Sequence, residues 1–160
     1  MNKVSKLLVM ITGITSLFIS GAMPTNAVAQ QELDTAKVES WLKDYKEAWE
    51  TMDADKVVLL FTEDATYRED PYKVPFQGRK GIHKYWATVT ADQKDVEFTY
   101  EVLSVTGNTG IAHWHSEFLQ PSSGTTIILD GIFILKFSQG ELCHSLKEWW
   151  HFKAIPAKEG

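Results

Sequence analysis

The stretch that decides the fold is Phe61-Thr-Glu-Asp-Ala-Thr-Tyr-Arg-Glu-Asp-Pro-Tyr-Lys-Val-Pro-Phe-Gln-Gly78, which predicts a helix end, a short strand and a long turn. Between Ala65 and Glu69, small or aromatic residues alternate with polar ones, as they do in a half-buried strand. Asp70-Pro71 then ends the strand, because proline has no N–H for the sheet and biases the preceding residue toward extended geometry. The pattern therefore predicts a strand that leads into a loop carrying Asp70.

Asp70 has aromatic neighbours in the sequence on both sides, Tyr67, Tyr72 and Phe76. A carboxylate among aromatic rings loses solvation, so we expect the pKa of Asp70 to be raised. An aspartate with a raised pKa can act as a general base near neutral pH. The alternative is a turn residue that bonds its own backbone in an Asp-Pro turn. The local sequence leaves both open.

The N-terminal segment has the pattern of an export signal. Two lysines precede an uncharged apolar run at residues 7–22, and Ala27-Val28-Ala29 follows with the small-x-small pattern of a signal peptidase site. The alternative is a retained membrane anchor, since the run approaches a spanning length. The cleavage pattern favours a signal peptide at 1–29 and one domain at 30–160, exported to the periplasm or secreted.

Composition limits the partners of this domain. The chain has 16 Lys+Arg against 21 Asp+Glu, a net charge of −5, and loses two lysines with the signal. An acidic domain without a basic cluster is a poor binder of nucleic acid and of anionic lipid. We therefore expect no nucleic-acid partner and no membrane association after cleavage. Six Trp, eight Phe and five Tyr suit a large core and also the wall of an apolar pocket.

Helices are predicted first and strands later. Asp34 can cap a helix that runs to about Thr51, with one apolar stripe that includes Tyr45. Asp53 can cap a second helix that ends near Phe61, and a third is expected at 80–90.

Alternating patterns then predict strands near 96–102, 111–120, 125–137 and 141–153. This order predicts an α+β fold: a cone-shaped, curled antiparallel sheet wrapped around the N-terminal helix, with two further helices. The mouth of the cone would be a small-molecule pocket.

Several motifs together resemble one known group of proteins. They are Tyr45, Asp53-Ala-Asp-Lys-Val-Val-Leu-Leu-Phe61, Glu63-Asp-Ala-Thr66, Gly78, Ile82 with Tyr85-Trp86, and Asp130-Gly-Ile-Phe133. The chain resembles the nuclear transport factor 2-like superfamily, which includes steroid isomerases and SnoaL-like cyclases. The resemblance covers about residues 38–152. It implies the cone fold predicted above, and members often form homodimers through the outer sheet face.

The steroid isomerases imply roles for individual residues. Their oxyanion-donating tyrosine matches Tyr45, and their general base matches Asp70 within Glu69-Asp70-Pro71 if one residue is inserted here. Their second donor is a protonated aspartic acid, and Phe133 occupies that position. Asp130 lies three residues away, an odd offset that predicts the opposite sheet face.

The resemblance thus implies a cofactor-independent isomerisation, cyclisation or dehydration of a small apolar molecule. The alternative is a non-catalytic domain for ligand binding or association, because a fold does not determine a function. Aromatic residues would line the pocket: Trp41, Trp49, Phe61, Tyr67, Phe76, Trp86, Trp114, Phe133 and Trp150.

Three other groups of residues have chemical potential. His113, His115 and Glu117 alternate along one strand and could ligate a metal, but a polar outer face is the ordinary origin of such alternation. We therefore predict no metal site. Glu148, beside two tryptophans, is predicted to be a solvated rim residue, and the single cysteine, Cys143, an inert buried thiol.

Overall fold

The computed structural model describes residues 32–138 and 141–157. The expected signal peptide at 1–29 and the expected mature start at Gln30 lie outside the described residues. Within them, no helix is long and apolar enough to cross a membrane.

The structure contains three α-helices and six strands in the described ranges. The helices are α1 (Thr35–Glu50), α2 (Ala54–Leu59) and α3 (Gly78–Val89), and a 3-10 turn follows at Thr90–Asp92. The strands are β1 (Phe61–Arg68), β2 (Phe76–Gln77), β3 (Lys94–Thr106), β4 (Thr109–Gln120), β5 (Thr125–Phe137) and β6 (Cys143–Ile155). The predicted helices and strands are confirmed, with two exceptions. Phe61 begins β1 and does not end α2, and the short strand β2 lies where a long turn was predicted.

Helix α1 begins where the sequence provides a cap. The side chain of Asp34 accepts a hydrogen bond from the backbone N–H of Lys37 at 2.9 Å, which satisfies a donor that the first turn leaves free. The buried residues of α1 recur at steps of three and four: Val38, Trp41, Leu42, Tyr45, Ala48 and Trp49. This stripe forms the centre of the hydrophobic core.

The sheet is curled and unclosed, with strand order β2-β1-β6-β5-β4-β3. Strands β3 to β6 form the predicted antiparallel meander. The prediction of an antiparallel sheet needs one correction, because β1 pairs with β6 in parallel, with Tyr67 beside Leu146 and Arg68 beside Lys147. The first strand of the domain therefore lies next to its last.

Register assigns each residue of β6 to one face of the sheet. Glu148 lies beside Phe133 of β5, and Phe133 lies beside Ala112 of β4, on the inner face. His151 lies beside Asp130 on the outer face. Gly131 lies between these inner-face and outer-face residues of β5. A Cβ at this position would come within 3.0 Å of the Trp114 ring, so the missing side chain leaves room for that ring. The inner face can thus hold large rings close to the sheet.

Candidate active site

A cavity of about 450 Å³ opens between the helices and the inner face of the sheet. Its apolar wall consists largely of aromatic residues from α1, α3, β4 and β6: Trp49, Trp86, Trp114, Phe118, Trp150 and Phe152. Five of its lining residues carry titratable groups: Tyr67, Glu69, Tyr85, Asp92 and Glu148. We call this space the inner cavity. It has the size and lining typical of a small-molecule site.

Glu148 is the buried carboxyl of the inner cavity, with only 5% of its surface exposed. In the described part of the chain, its side chain has one hydrogen bond, donated by the Tyr67 hydroxyl at 2.9 Å. Burial raises the pKa of Glu148 to about 8, the Tyr67 hydrogen bond lowers it, and the charge of Glu69 raises it further. The side chain is therefore mainly a neutral acid at pH 7. The prediction of a solvated rim residue is wrong, because Glu148 faces inward.

Two tyrosines extend this contact into a chain of hydrogen bonds. The hydroxyl oxygens of Tyr45 and Tyr67 lie 3.1 Å apart. Because the Tyr67 hydroxyl donates its hydrogen bond to Glu148, the Tyr67 oxygen accepts a hydrogen bond from the Tyr45 hydroxyl. Burial, and next the charge of Glu148, raise the pKa of both phenols well above the ordinary value, so both remain donors.

Glu69 is the second carboxyl of the inner cavity. It follows Tyr67 by two residues, so the alternation of an extended chain turns both side chains the same way. The Tyr85 hydroxyl donates a hydrogen bond to the Oε2 atom of Glu69 at 2.6 Å. Burial raises the pKa of Tyr85 far above its usual range. The cavity thus brings together two carboxyl groups, each held by a tyrosine.

The structure places Asp70 away from the inner cavity. One carboxylate oxygen accepts the backbone N–H of Tyr72 at 2.8 Å, and the other lies 3.4 Å from the Lys73 ammonium. The hydrogen bond from Tyr72 lowers the pKa of Asp70, and Lys73 adds to this effect. The expectation of a raised pKa is therefore wrong, and the Asp-Pro turn is the arrangement observed. The predicted role of Asp70 as a base depended on a raised pKa, whereas its surroundings lower that pKa.

Tyr45 and Asp70 do not meet in one pocket. Tyr45 is fully buried behind the cavity wall and contacts the site through Tyr67. Asp70 lines a second space, a cleft of about 580 Å³, together with Lys73, His113 and Asp130. We call this space the outer cleft. Glu69 and Trp150 line both this cleft and the inner cavity.

The predicted lining residues divide into two groups. Trp49, Tyr67, Trp86, Trp114 and Trp150 line the inner cavity. Trp41, Phe61, Phe76 and Phe133 pack behind them; Trp41, for example, donates its indole N–H to the carbonyl of Leu60 at 2.9 Å.

The outer face carries the histidines that the sequence singled out. Asp130 lies 3.1 Å from His113 Nε2 and 3.4 Å from His115 Nδ1, and these contacts lower the pKa of Asp130. The position of Asp130 on the face opposite Phe133 is confirmed by the register. Within residues 32–138 and 141–157, no group of three or more His, Cys, Asp or Glu side chains is arranged to hold a metal.

The fold and the site define a class of protein: a curled sheet around a helix, with a largely aromatic cavity that contains a buried carboxyl group. Residues 42–145 match the model of the SnoaL-like domain, so the chain belongs to that family. No curated protein matches the sequence.

Solved structures agree on the fold. A protein from Bacillus subtilis proposed to be an isomerase superposes with a TM-score of 0.65 at 18% identity, over 72% of this chain and 87% of that one. SalBIII, an epoxide hydrolase/cyclase-like enzyme in pyran ring formation, gives a TM-score of 0.64 at 19% identity, over 74% and 93%.

A third match is a protein from Catenulispora acidiphila with a ketosteroid isomerase-like fold, in complex with trimethylamine. It gives a TM-score of 0.60 at 18% identity, over 68% of this chain and 82% of that one. At such identities, these likenesses show a shared fold only.

Proposed function

We propose that this protein catalyses cofactor-independent proton transfer on a small apolar molecule, with Glu148 as the acid and Glu69 as the base. The observation that carries the proposal is Glu148, a neutral carboxylic acid in an aromatic cavity that also contains a second carboxyl. Paired groups whose environments separate their protonation states are a common basis of acid–base catalysis. The proposed base is therefore Glu69, the residue before Asp70, which the sequence had suggested as the base.

The proposed reaction begins with a substrate that has a carbonyl group beside an acidic C–H bond. Glu69, as a carboxylate, removes the proton, and the electron pair of the C–H bond moves toward the carbonyl oxygen. Glu148 donates a hydrogen bond to that oxygen, where the negative charge develops. If the substrate also has a C=C bond next to that carbon, the enolate extends over it, and return of the proton from Glu69 to the far carbon of the C=C bond completes an isomerisation. Attack of the enolate carbon on a second carbonyl of the same substrate, whose oxygen takes the proton from Glu69, would give a cyclisation.

The tyrosines support these roles. Tyr85 fixes the Glu69 carboxylate from one side, and Tyr67 fixes one oxygen of Glu148, so that the acidic proton is left to the other oxygen. Tyr45 lies behind the cavity and orients Tyr67. In this scheme Tyr45 acts through Tyr67, whereas the sequence had suggested direct donation to the substrate.

Deuterium uptake by alpha-tetralone in D₂O, followed by NMR, tests this proposal without a known natural substrate. We expect the protein to accelerate exchange at the carbon next to the carbonyl. Glu148→Gln and Glu69→Gln should each reduce the acceleration by about 10²-fold or more. Asp70→Asn is the matched control and should exchange like the wild type. Equal rates in all four proteins would contradict the proposal.

A non-catalytic ligand-binding domain is the second candidate. It is favoured by the low exposure of Glu148, whose 5% leaves little surface for a substrate to contact. In that case, Glu148 would serve to hold Tyr67. Binding of alpha-tetralone without any acceleration of exchange would support this second function.

Export and association are further proposals. Export rests on the pattern of residues 1–29, and N-terminal sequencing of the exported protein should begin at Gln30. A homodimer through the outer face is supported by Trp149, a large apolar residue that is 47% exposed there. Sedimentation velocity of the wild type and Trp149→Lys would test it.

A further inference from the structure

The mouth of the inner cavity is bordered by three polar side chains, Asp92, Gln93 and Gln120, which we call the rim. Glu148 is level with Ala112 of β4, whereas Gln120 is the last residue of that strand. The rim and the buried carboxyl therefore lie at different ends of the cavity. A ligand that reaches Glu148 and fills the cavity also passes the rim.

Gln93 has a fixed amide orientation. Its Oε1 atom accepts the indole N–H of Trp49 at 2.8 Å. Because an indole nitrogen can only donate, the oxygen of the amide must face Trp49. The NH₂ group of Gln93 is the end that remains, and it has no protein acceptor in the described ranges.

Gln120 bonds to a hydroxyl, which can both donate and accept. The Ser123 oxygen accepts the N–H of Thr125 at 3.3 Å, and its own proton is donated to Gln120. The Oε1 atom of Gln120 accepts the hydroxyl of Ser123 at 2.9 Å, within the turn between β4 and β5. Its backbone carbonyl accepts the N–H of Gly124 at 2.9 Å, which fixes the same turn. The NH₂ group of Gln120 is again left as a donor beside the cavity, with no acceptor among residues that the structure describes.

The charge of Asp92 limits which hydrogen-bond acceptors of a ligand can bind at the rim. The carboxylate oxygens of Asp92 accept the backbone N–H and the hydroxyl of Ser122, which hold the carboxylate in place. Its negative charge remains, and the chain as a whole carries a net charge of −5. An anionic ligand group would be repelled there, whereas a neutral oxygen would not be. The rim therefore favours a neutral acceptor.

We propose that the ligand of the inner cavity carries a second, neutral acceptor oxygen, of the ketone, ether or ester type, which the amide NH₂ groups of Gln93 and Gln120 bind at the rim. This inference rests on the proposed function, because it takes the reacting carbonyl to be at Glu148. It specifies the substrate class as an elongated apolar molecule with an oxygen at each end. The rim glutamines are then the residues that determine specificity.

Two matched probes test this inference. Both are biphenyls with an acetyl group on one para carbon; one carries a methoxy group on the other para carbon, and its isostere carries an ethyl group. We expect the methoxy compound to bind the wild type about fivefold more tightly by calorimetry, the usual effect of one net hydrogen bond. The side-chain amide resonances of Gln93 and Gln120 should shift with the methoxy probe only.

Substitutions of Gln93 and Gln120 test the amide NH₂ donor separately from the rest of the glutamine side chain. Gln93→Glu and Gln120→Glu keep an acceptor oxygen for Trp49 and Ser123 but remove the NH₂ donor. In the double variant, the two probes should bind with equal affinity. Gln77→Glu is the control for each single substitution: it introduces one negative charge at an exposed position away from the cavity and should keep the fivefold preference.

The inference is overturned if the wild type binds both probes equally, if the preference survives in the double variant, or if neither probe binds. None of these results bears on the acid itself. The pKa of Glu148, measured by NMR on the protein without ligand, tests the proposed function separately. A value near 4 would count against that function even if the rim preference were found.

Discussion

The two faces of the central strands treat a carboxyl group in opposite ways. On the inner face, Glu148 is buried with one tyrosine donor, and its pKa rises to about 8. On the outer face, Asp130 is exposed beside His113 and His115, and its pKa falls. Burial dominates in the first case, and hydrogen bonds to the charged form dominate in the second. The same sheet thus creates an acid on one side and a stable anion on the other.

The largest loss of stability is expected from placing a side chain at Gly131, where the aromatic rings of the inner face lie close to the sheet. In Gly131→Ala, the new Cβ would come within 2.6 Å of the Trp149 carbonyl oxygen and 2.8 Å of the Trp150 Cβ. Backbone cannot yield cheaply, so the free energy of unfolding should fall by about 3 kcal/mol. Urea denaturation measures this. Gly81→Ala, where contacts begin at 3.5 Å in a helix, should be neutral or stabilising.

Glu148→Gln should stabilise the protein at neutral pH. The folded pKa of about 8 lies above the unfolded value of about 4.3, so the folded state retains a proton that the unfolded state releases. Stability from this group is fully present below about pH 4.3 and is lost as pH rises toward 8. The variant should gain about 2 kcal/mol at pH 6 and almost nothing at pH 4. A constant difference across this range would contradict a raised pKa.

Tyr67→Phe should change the acid without removing it. The hydrogen bond from Tyr67 favours the charged form of Glu148, so its loss should raise the pKa of Glu148 by about 0.5–1 unit, the equivalent of one net hydrogen bond. NMR titration of the Glu148 side chain measures the change. Tyr45→Phe should produce a smaller shift in the same direction. A fall in the pKa after Tyr67→Phe would show that the hydroxyl is not bound to Glu148.

The smallest effect is expected at the turn outside the cavity. Asp70→Asn weakens a turn whose carboxylate has a lowered pKa, so its stabilising effect is present above the unfolded pKa and lost as pH falls through the folded value. We expect a slight loss of stability at pH 7 that disappears at low pH, as measured by urea midpoints. Greater stability at pH 7 would restore the buried base inferred from the sequence.

The helices and strands could be predicted because their apolar periods are strong. The stripe from Val38 to Trp49 and the long strand at 125–137 each match the structure closely. The parallel pairing of β1 with β6 could not be predicted, because it joins segments far apart in the chain. Neither local periodicity nor turn chemistry contains information on such a pairing.

The site was partly accessible from the sequence. An odd offset correctly separated Asp130 from Phe133, and the same rule separates Asp70 from Tyr67 and places Glu69 with it. Likewise, Glu148 shares a face with Leu146 and Trp150, which indicates an inward position. The degree of burial, and hence the raised pKa, depends on α3 and β1 closing over Glu148. Only the tertiary structure shows that.

The pairing of β1 with β6 also has a consequence for the order of events during folding. Tyr67 of β1 pairs with Leu146 of β6, which is about half the chain away in the sequence. Closing this pair therefore requires a long loop. Such non-local pairing slows folding, and it cannot start before the last strand has been synthesised. Glu148 lies in β6 and Glu69 directly follows β1, so the two carboxyl groups come together only when this pair of strands closes. A chain truncated before Glu148 would lack the buried carboxyl group.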